Sequence, residues 1–263
     1  MKILKLGQML GGSNAPSGGF ENKYSLTFDG VDDYVTFGDE DVFTPNNSGA
    51  NRGMTWSYWV KMSTVAGQVL LNKSGLFYSG ANHYEYFFNT QFAGKPKIIL
   101  YGGDSASITL ILTLDTALSV DTWHHIAFTW DLGSTNADLI GYIDGVKHSV
   151  ADGNATFSSA GTWAAVVNTN NELQLARASA NYGEALLDEI SIFDDELSTA
   201  EVQAIYNSGT PTDLSGESYL LGYWRNGDTA GTSVYPTIED YSSNSNDGTM
   251  TNMASGDIQT DVP

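Results

Sequence analysis

The chain has 263 residues and no cysteine, and its 31 acidic and 11 basic residues give a formal net charge of −20. A surface this acidic repels phosphate backbones and anionic lipid headgroups, so we expect no nucleic-acid partner, and the lack of cysteine excludes disulfides and thiolate metal sites. No stretch of the sequence approaches ~20 apolar residues, so we expect no membrane insertion. The 14 Tyr, 11 Phe and 28 Gly favour many short strands joined by tight turns and predict an all-β protein.

The first nineteen residues differ in composition from the rest of the chain. Residues 1–10 contain two lysines but no apolar run of signal-peptide length, and residues 11–19 are rich in Gly and Ser, which is typical of a flexible linker. We therefore expect an arm and linker over 1–19, one domain over 20–263, and synthesis in the cytoplasm without a signal peptide. The arm either docks on another subunit or is a frayed terminus.

Residues 25–38 predict a β-hairpin. Leu26 and Phe28 alternate with polar neighbours, as do Val35 and Phe37, and an Asp-Gly-rich turn around Gly30 lies between the two runs. Each predicted strand has one polar and one apolar face.

Residues 55–62 alternate strictly, as a strand with two unlike faces does. Trp56, Tyr58 and Val60 share one face, whereas Trp59 lies among polar residues on the other. Trp59 therefore belongs either to a second packing face of a sandwich or to a platform on which a sugar stacks. We favour packing, because a buried Trp is the commoner outcome in such cores.

The middle of the chain predicts a meander of strands and one clear hairpin. The predicted strands cover residues 68–73, 84–89, 97–101, 107–114, 123–131, 172–177 and 185–193. The Asp144-Gly145 turn between 138–144 and 146–150 is a strong hairpin signal. His124 and His125 are adjacent and point to opposite faces of a strand, so they cannot jointly hold one metal.

One helix is predicted after the last of these strands. Ser198 and Glu201 have the spacing of a capping box, in which each side chain bonds the other residue's backbone amide. Val202 and Ile205 then form an apolar stripe, and Gly209 is placed to end the helix.

Several of these segments resemble the laminin-G-like jelly rolls of the concanavalin A-like lectin and glucanase superfamily, of the kind found in bacteriophage structural proteins. The resemblance rests on Phe28-Asp29-Gly30 followed by an Asp-Tyr-Val run, on the Trp-His-His strand before a Tyr-Ile-Asp-Gly hairpin, and on the closing Ser-Thr-Ala-Glu helix. It implies a two-sheet antiparallel jelly-roll sandwich with one short helix.

Residues 219–225 and 240–251 resemble segments that precede the opening hairpin in this family, yet here they follow the helix. Either the chain is circularly permuted, or these segments begin a truncated second copy. A lone pair of strands cannot bury a core, so we expect a permuted single domain that is completed by strands within 219–251.

The sequence lacks the motifs of several enzyme classes. It has no alternating Glu-x-Asp-x-Glu run of the glucanase type, no Gly-x-Ser-x-Gly elbow and no His-Glu-x-x-His, so we expect no enzymatic activity. The family resemblance implies a structural calcium held by Asp188 with backbone carbonyls near Gly38 and Trp224. The alternative, of equal weight, is that Asp188 caps a loop amide. A second oxygen-rich loop around Asp240 is more typical of a turn.

Two functions remain open at this point. One is a virion structural or adhesion protein of the phage fibre or head-decoration type, displayed on the virion surface, bound to other virion proteins through its arm and assembled as a homo-oligomer, with a trimer expected. The other is a secreted or cell-surface calcium-dependent carbohydrate-binding module. Under either function a surface glycan is a further partner, and the candidate aromatic residues are Trp59, Tyr84, Tyr86 and Trp163.

Overall fold

The computed structural model describes residues 20–46, 49, 52–74, 84–91, 93–103, 105–228 and 235–263. The predicted arm and linker over 1–19 lie outside these residues. Nineteen strands are present in the described part of the chain: β1 Ser25–Asp29, β2 Tyr34–Thr36, β3 Met54–Lys61, β4 Val69–Ser74, β5 Tyr84–Gln91, β6 Lys95–Tyr101, β7 Thr109–Leu114, β8 Trp123–Trp130, β9 Leu139–Ile143, β10 Val146–His148, β11 Ala155–Ala160, β12 Gln174–Leu175, β13 Arg177–Ala178, β14 Asn181–Tyr182, β15 Glu184–Phe193, β16 Leu220–Trp224, β17 Thr237–Ile238, β18 Gly248–Thr251 and β19 Ile258–Gln259. The helix α1 spans Thr199–Tyr206.

The strands form two large antiparallel sheets, which confirms the predicted all-β, two-sheet fold. The first sheet has the order β10–β9–β8–β3–β15–β1–β19, and β16 also pairs with β15. The second has the order β11–β7–β6–β5–β4–β12–β2–β18–β17, while β13 and β14 form a separate small hairpin. The predicted β4-to-β7 meander and the β9–β10 hairpin are both present.

The core lies between the two sheets. Trp56 of β3 packs against Phe88 of β5 with 5.3 Å between ring centroids, and Phe88 reaches Phe128 of β8 at 5.6 Å. These three rings join the two sheets and are fully buried. Because each large apolar side chain removed from water contributes about 1.5–3 kcal/mol, this interior supplies most of the driving force for folding.

The opening segment differs from its prediction. The residues expected to pair as a hairpin do form strands, but β1 pairs with β15 and β19 in the first sheet, whereas β2 pairs with β12 and β18 in the second. The turn between them therefore crosses from one sheet to the other. Alternation indicates which face of a strand is buried. That face points into the same core whichever sheet the strand joins. Alternation therefore could not distinguish two strands paired as a hairpin from two strands that lie in opposite sheets.

The helix α1 covers the outer face of the first sheet. Val202 and Ile205 are buried in a cluster with Tyr142 of β9 and Tyr223 of β16. The capping box is confirmed in both directions. The helix ends earlier than predicted, at Asn207, whose φ of +44° is left-handed. None of the helices in the described part of the chain is long and apolar enough to cross a membrane.

The last fifty residues pair with both sheets. β16 pairs with β15, β19 with β1, and β18 with β2. Trp224, Ile238 and Met250 from this region are buried in the main core. These are the contacts that a domain completed by its own C-terminal strands requires, while the permutation relative to other family members stays a prediction.

Candidate functional site

Asp188 lies in β15 at a bulge and is fully buried. The carboxamide nitrogen of Asn22 donates to its Oδ2 at 3.0 Å, and the backbone amide of Glu189 donates to its Oδ1 at 2.8 Å. The bulge places Glu189 in the left-handed region with a φ of +48°. The side chains of both acidic residues are consequently buried, although they are adjacent in the strand.

The turn after β16 brings two more polar side chains to this region. Asn226 donates through Nδ2 to the carbonyl of Leu187 at 2.6 Å. Asp228 accepts from the backbone amides of Lys23 and Tyr24 at 2.7 and 2.8 Å. The region around Asp188, which we call the Asp188 cluster (Asn22, Asp188, Asn226 and Asp228), therefore joins three parts of the chain that are distant in sequence.

Two oxygens of the Asp188 cluster have no hydrogen-bond partner among the described residues. They are Oδ1 of Asn22 and Oδ1 of Asn226, and both atoms are buried. A buried acceptor without a donor costs about 1–3 kcal/mol, so a ligand that engaged these two oxygens would stabilise the cluster. Carboxylate and carboxamide oxygens in a flexible arrangement are the ligands that calcium prefers, and the cluster fits that ion.

Negative charge exceeds positive charge around the cluster. Burial raises the pKa of the Asp188 carboxyl well above its ordinary value, and the neighbouring charge of Glu189 raises it further. Burial also raises the pKa of Glu189, although the hydroxyl of Tyr223 donates to this carboxylate and Arg225 lies nearby. Arg225 donates to Asp228 at 2.8 Å and lies 3.7 Å from Glu189, so one guanidinium contacts two carboxylates.

The three residues predicted as metal ligands are not all brought together. Asp188 is at the centre of the cluster, and Trp224 lies two residues before Asn226 with its backbone paired to Ile190. Gly38 follows β2 in the other sheet, where its carbonyl accepts from the amide of Leu173 at 3.0 Å.

The sequence patterns did not predict that Asn22, Asn226 and Asp228 belong to the Asp188 cluster. The Asn-Gly-Asp turn at 226–228 was a signal that oxygen donors follow the Trp224 strand. Asn22 carries no local signal, because its position beside Asp188 depends on contacts across 166 residues.

Two other clusters of acidic residues lie in turns, where their carboxylates accept hydrogen bonds from backbone amides. Asp240 accepts from the backbone amides of Tyr223, Ser242 and Asn246, as expected for the turn reading. The carboxylates of Asp29, Asp32 and Asp33 lie within 4.8 Å of one another, but Oδ1 of Asp29 accepts three amides of its own turn.

A groove of about 610 Å³ lies on the outer face of the second sheet. Outward side chains of β4, β5 and β6 form its floor, and the β13–β14 hairpin forms one wall. The lining includes Val69, Phe87, Asn89, Lys97, Tyr101 and Tyr182. A recess of about 480 Å³ shares Val69, Asn89 and Lys97 and extends the groove toward Gln91. Mixed apolar, aromatic and amide groups in a volume of this size are typical of a small-molecule site.

The four aromatic residues considered for glycan binding lie in different places. Tyr84 packs against Tyr101 at the groove, with 5.0 Å between ring centroids. Tyr86 is fully buried in the core, and Trp59 is buried beneath α1, stacked on Tyr206 at 5.8 Å, as the packing interpretation expects. Trp163 is half-buried and meets Trp130 edge-on. Of the four, Tyr84 is therefore the one next to the groove.

Ser119, His124 and Asp144 form a chain of hydrogen bonds in the order of a Ser-His-Asp triad. Oγ of Ser119 lies 2.8 Å from Nε2 of His124, whose Nδ1 lies 2.8 Å from Oδ2 of Asp144. Oδ1 of Asp144 also accepts the amide of His125, and the amide of Ser119 points to the same Nε2. The chain of bonds therefore fixes the β9–β10 turn against β8, and an assay for ester hydrolysis separates this role from catalysis.

A family model described as concanavalin A-like lectin/glucanases superfamily, of the laminin G type, matches residues 29–203. No curated protein matches the chain.

Several solved structures are similar to the chain at low sequence identity. A Bacteroides ovatus protein described as a candidate carbohydrate-binding protein is 13% identical with a TM-score of 0.61, over 92% of this chain and 60% of that one. This chain therefore spans less than two thirds of that protein. The CBM40 module of Ruminococcus gnavus IT-sialidase, bound to α2,3-sialyllactose, is 14% identical with a TM-score of 0.47, over 72% of this chain and 100% of the module. A heptameric SAP-like pentraxin from Limulus polyphemus is 12% identical with a TM-score of 0.45, over 70% of this chain and 82% of that one.

Proposed function

The chain belongs to the concanavalin A-like lectin/glucanase superfamily, and from that premise we propose that it is a carbohydrate-binding domain that does not cleave its ligand. The observation that carries the proposal is the groove on the second sheet, where Tyr101, Phe87 and Tyr182 stand beside the amides of Asn89 and Asn181. Aromatic rings contact the apolar face of a sugar, while amide groups bond its hydroxyls. The Bacteroides ovatus protein with the same fold carries a carbohydrate-binding description, and we extend that ligand class to this chain.

The absence of catalysis is part of the proposal. The strand β5 carries one carboxylate, Glu85, and this group is fully buried. Lys73 lies 3.0 Å from it, and the hydroxyls of Thr44 and Thr169 donate to it at 2.7 and 2.8 Å. A carboxylate whose oxygens are bound inside the core cannot act as acid or nucleophile on a sugar in the groove.

A glycan array followed by calorimetry on the strongest ligand tests the binding function. We expect binding, and we expect Tyr182→Ala to weaken it about fivefold, since an aromatic contact is worth about 1 kcal/mol. Tyr219→Ala is the control, because Tyr219 is an exposed tyrosine that packs under Arg52 and does not line the groove. The same protein should release no reducing sugar from glycans and should not hydrolyse p-nitrophenyl esters. Hydrolysis that Ser119→Ala abolishes would contradict the non-enzymatic proposal, and an array without any binder would contradict the binding function.

We also propose that the Asp188 cluster holds calcium. The support is the pair of buried carboxamide oxygens without partners beside the buried carboxylate of Asp188. The ion would link the segment before β1, the strand β15 and the turn after β16. Its role there is structural, because the cluster is made of side chains that already join these segments.

We propose a virion surface as the setting, with the arm of the first ten residues binding other virion proteins, the linker over 11–19 joining it to the domain, and a homotrimer as the assembled form. The support is the resemblance to domains of bacteriophage structural proteins and the change of composition between residues 1–19 and the acidic domain. A secreted or cell-surface calcium-dependent module is the competing setting. Immunogold microscopy of the native source separates the two, because label on particles is expected only for the first.

A further inference from the structure

Lys97 is a half-buried cation with no carboxylate partner among the described residues. It lies in β6 and lines both the groove and its extension. Of the described lysines and arginines, the others pair with an Asp or Glu, except Arg177, which lies over the ring of Tyr34. In a chain with 31 acidic residues, a lysine without such a partner is unusual.

Lys95 differs from Lys97 because it has a carboxylate partner. Lys95 lies two residues earlier on the same strand and on the same side of it, and its ammonium is 3.5 Å from Asp115. Burial lowers the pKa of Lys97, and no nearby carboxylate offsets this effect. The groove therefore holds one half-buried positive charge at its floor, within a protein whose net charge is −20.

Asn89 stands directly across from Lys97 in the β5–β6 ladder. Its Oδ1 is buried and has no hydrogen-bond partner among the described residues. The floor of the groove thus presents an ammonium and a carboxamide side by side, next to the apolar side chains of Phe87, Ile99 and Tyr101.

We propose that the groove selects sugars that carry a carboxylate, with Lys97 pairing with that carboxylate and Asn89 bonding a neighbouring hydroxyl. This inference rests on the carbohydrate-binding function proposed above and narrows its ligand class to acidic sugars, such as uronic acids and sialic acids. The rest of the surface repels anionic chains, so the attraction is confined to a sugar seated in the groove. A ligand carboxylate in the groove would supply the negative charge beside Lys97 that the described residues do not. Because Lys97 is half-buried, salt would screen this ion pair less than a fully exposed one.

Matched ligands that differ in the carboxylate alone test the selection on the full chain. Polygalacturonate is compared with its fully methyl-esterified form, and sialyllactose with its methyl ester, by calorimetry at two ionic strengths. We expect the acidic member of at least one pair to bind ten or more times tighter, and the pair that shows the difference identifies the kind of acidic sugar. The difference should decrease at higher salt.

Lys97→Met should abolish the preference for the acidic ligand while the melting temperature is kept, because the methionine preserves the apolar stem and removes an unpaired charge. Lys95→Met is the matched control and should leave the preference unchanged. Equal binding of acid and ester, or a preference that survives Lys97→Met, would overturn this inference while leaving glycan binding intact. Failure of every ligand on the array as well would overturn the binding function itself.

Discussion

Asp188 shows how much of this domain depends on single polar contacts. Its two oxygens accept hydrogen bonds from Asn22 and from the amide of Glu189. Asn226 donates to the carbonyl of Leu187, the residue before Asp188. The bonds from Asn22 and Asn226 join segments that are separate in sequence. An ion that binds the same oxygens would stabilise all of the joined segments together.

Calcium should raise the melting temperature of the chelator-treated protein, and Asp188→Asn should remove that rise. A ligand held by the native state alone adds about 2.7 kcal/mol at 100 times its dissociation constant, which scanning fluorimetry detects readily. Asp240→Asn is the control, because the carboxylate of Asp240 is engaged by its own turn. If calcium leaves the melting temperature of the unmutated protein unchanged, the proposed calcium site is wrong.

At the scale of elements, α1 is the one α-helix in the described part of the chain, and it packs on the first sheet. Its eight residues are too few to be stable alone, so its position depends on burial of Val202 and Ile205 and on the cap at Ser198. The helix in turn covers Trp59, whose ring stacks on Tyr206.

Ser198→Ala should lower the free energy of unfolding by about 1 kcal/mol, because the amide of Glu201 loses its side-chain acceptor. Ser198→Thr keeps a hydroxyl at the same position and should cost less. Urea denaturation followed by tryptophan fluorescence measures both variants. Equal stability of Ser198→Ala and the parent would show that packing alone holds the helix.

At the scale of the whole molecule, the C-terminal strands complete both sheets of the sandwich. They occupy positions beside β15, β1 and β2 in two different sheets. They also bury Trp224, whose ring lies 4.1 Å from that of Phe37 between centroids. The two halves of the sandwich are therefore closed by the last part of the chain.

Deletion of residues 214–263 should produce a protein that aggregates or melts at a much lower temperature, since it exposes strand edges and apolar core. Deletion of residues 1–19 is the control and should leave the melting temperature unchanged. Light scattering and calorimetry on the three proteins provide the comparison. A monomeric 214–263 deletion with an unchanged melting temperature would contradict completion of the domain by these strands.

Local patterns in the sequence determined most of the elements. Alternation placed β3 to β9 within a few residues, the Asp144-Gly145 pair placed a hairpin, and the Ser198 cap placed the start of α1. These features depend on neighbours two to four residues away, so a linear reading can find them. The turn after Trp224 could likewise be singled out without coordinates, whereas Asp188 is singled out by the family resemblance.

Only the tertiary structure decided which sheet each strand joins and which side chains meet. β1 and β2 look like a hairpin in sequence, but they pair in opposite sheets, and Asn22 meets Asp188 across 166 residues. The groove around Lys97 combines outward faces of β4 to β6 with the β13–β14 hairpin about 80 residues further along. Strand alternation has a period of two and records the buried face of each strand, but it carries no information about the partner. Which strands pair with one another depends on how all the strands pack together into the sandwich, and this involves residues that are far apart in sequence.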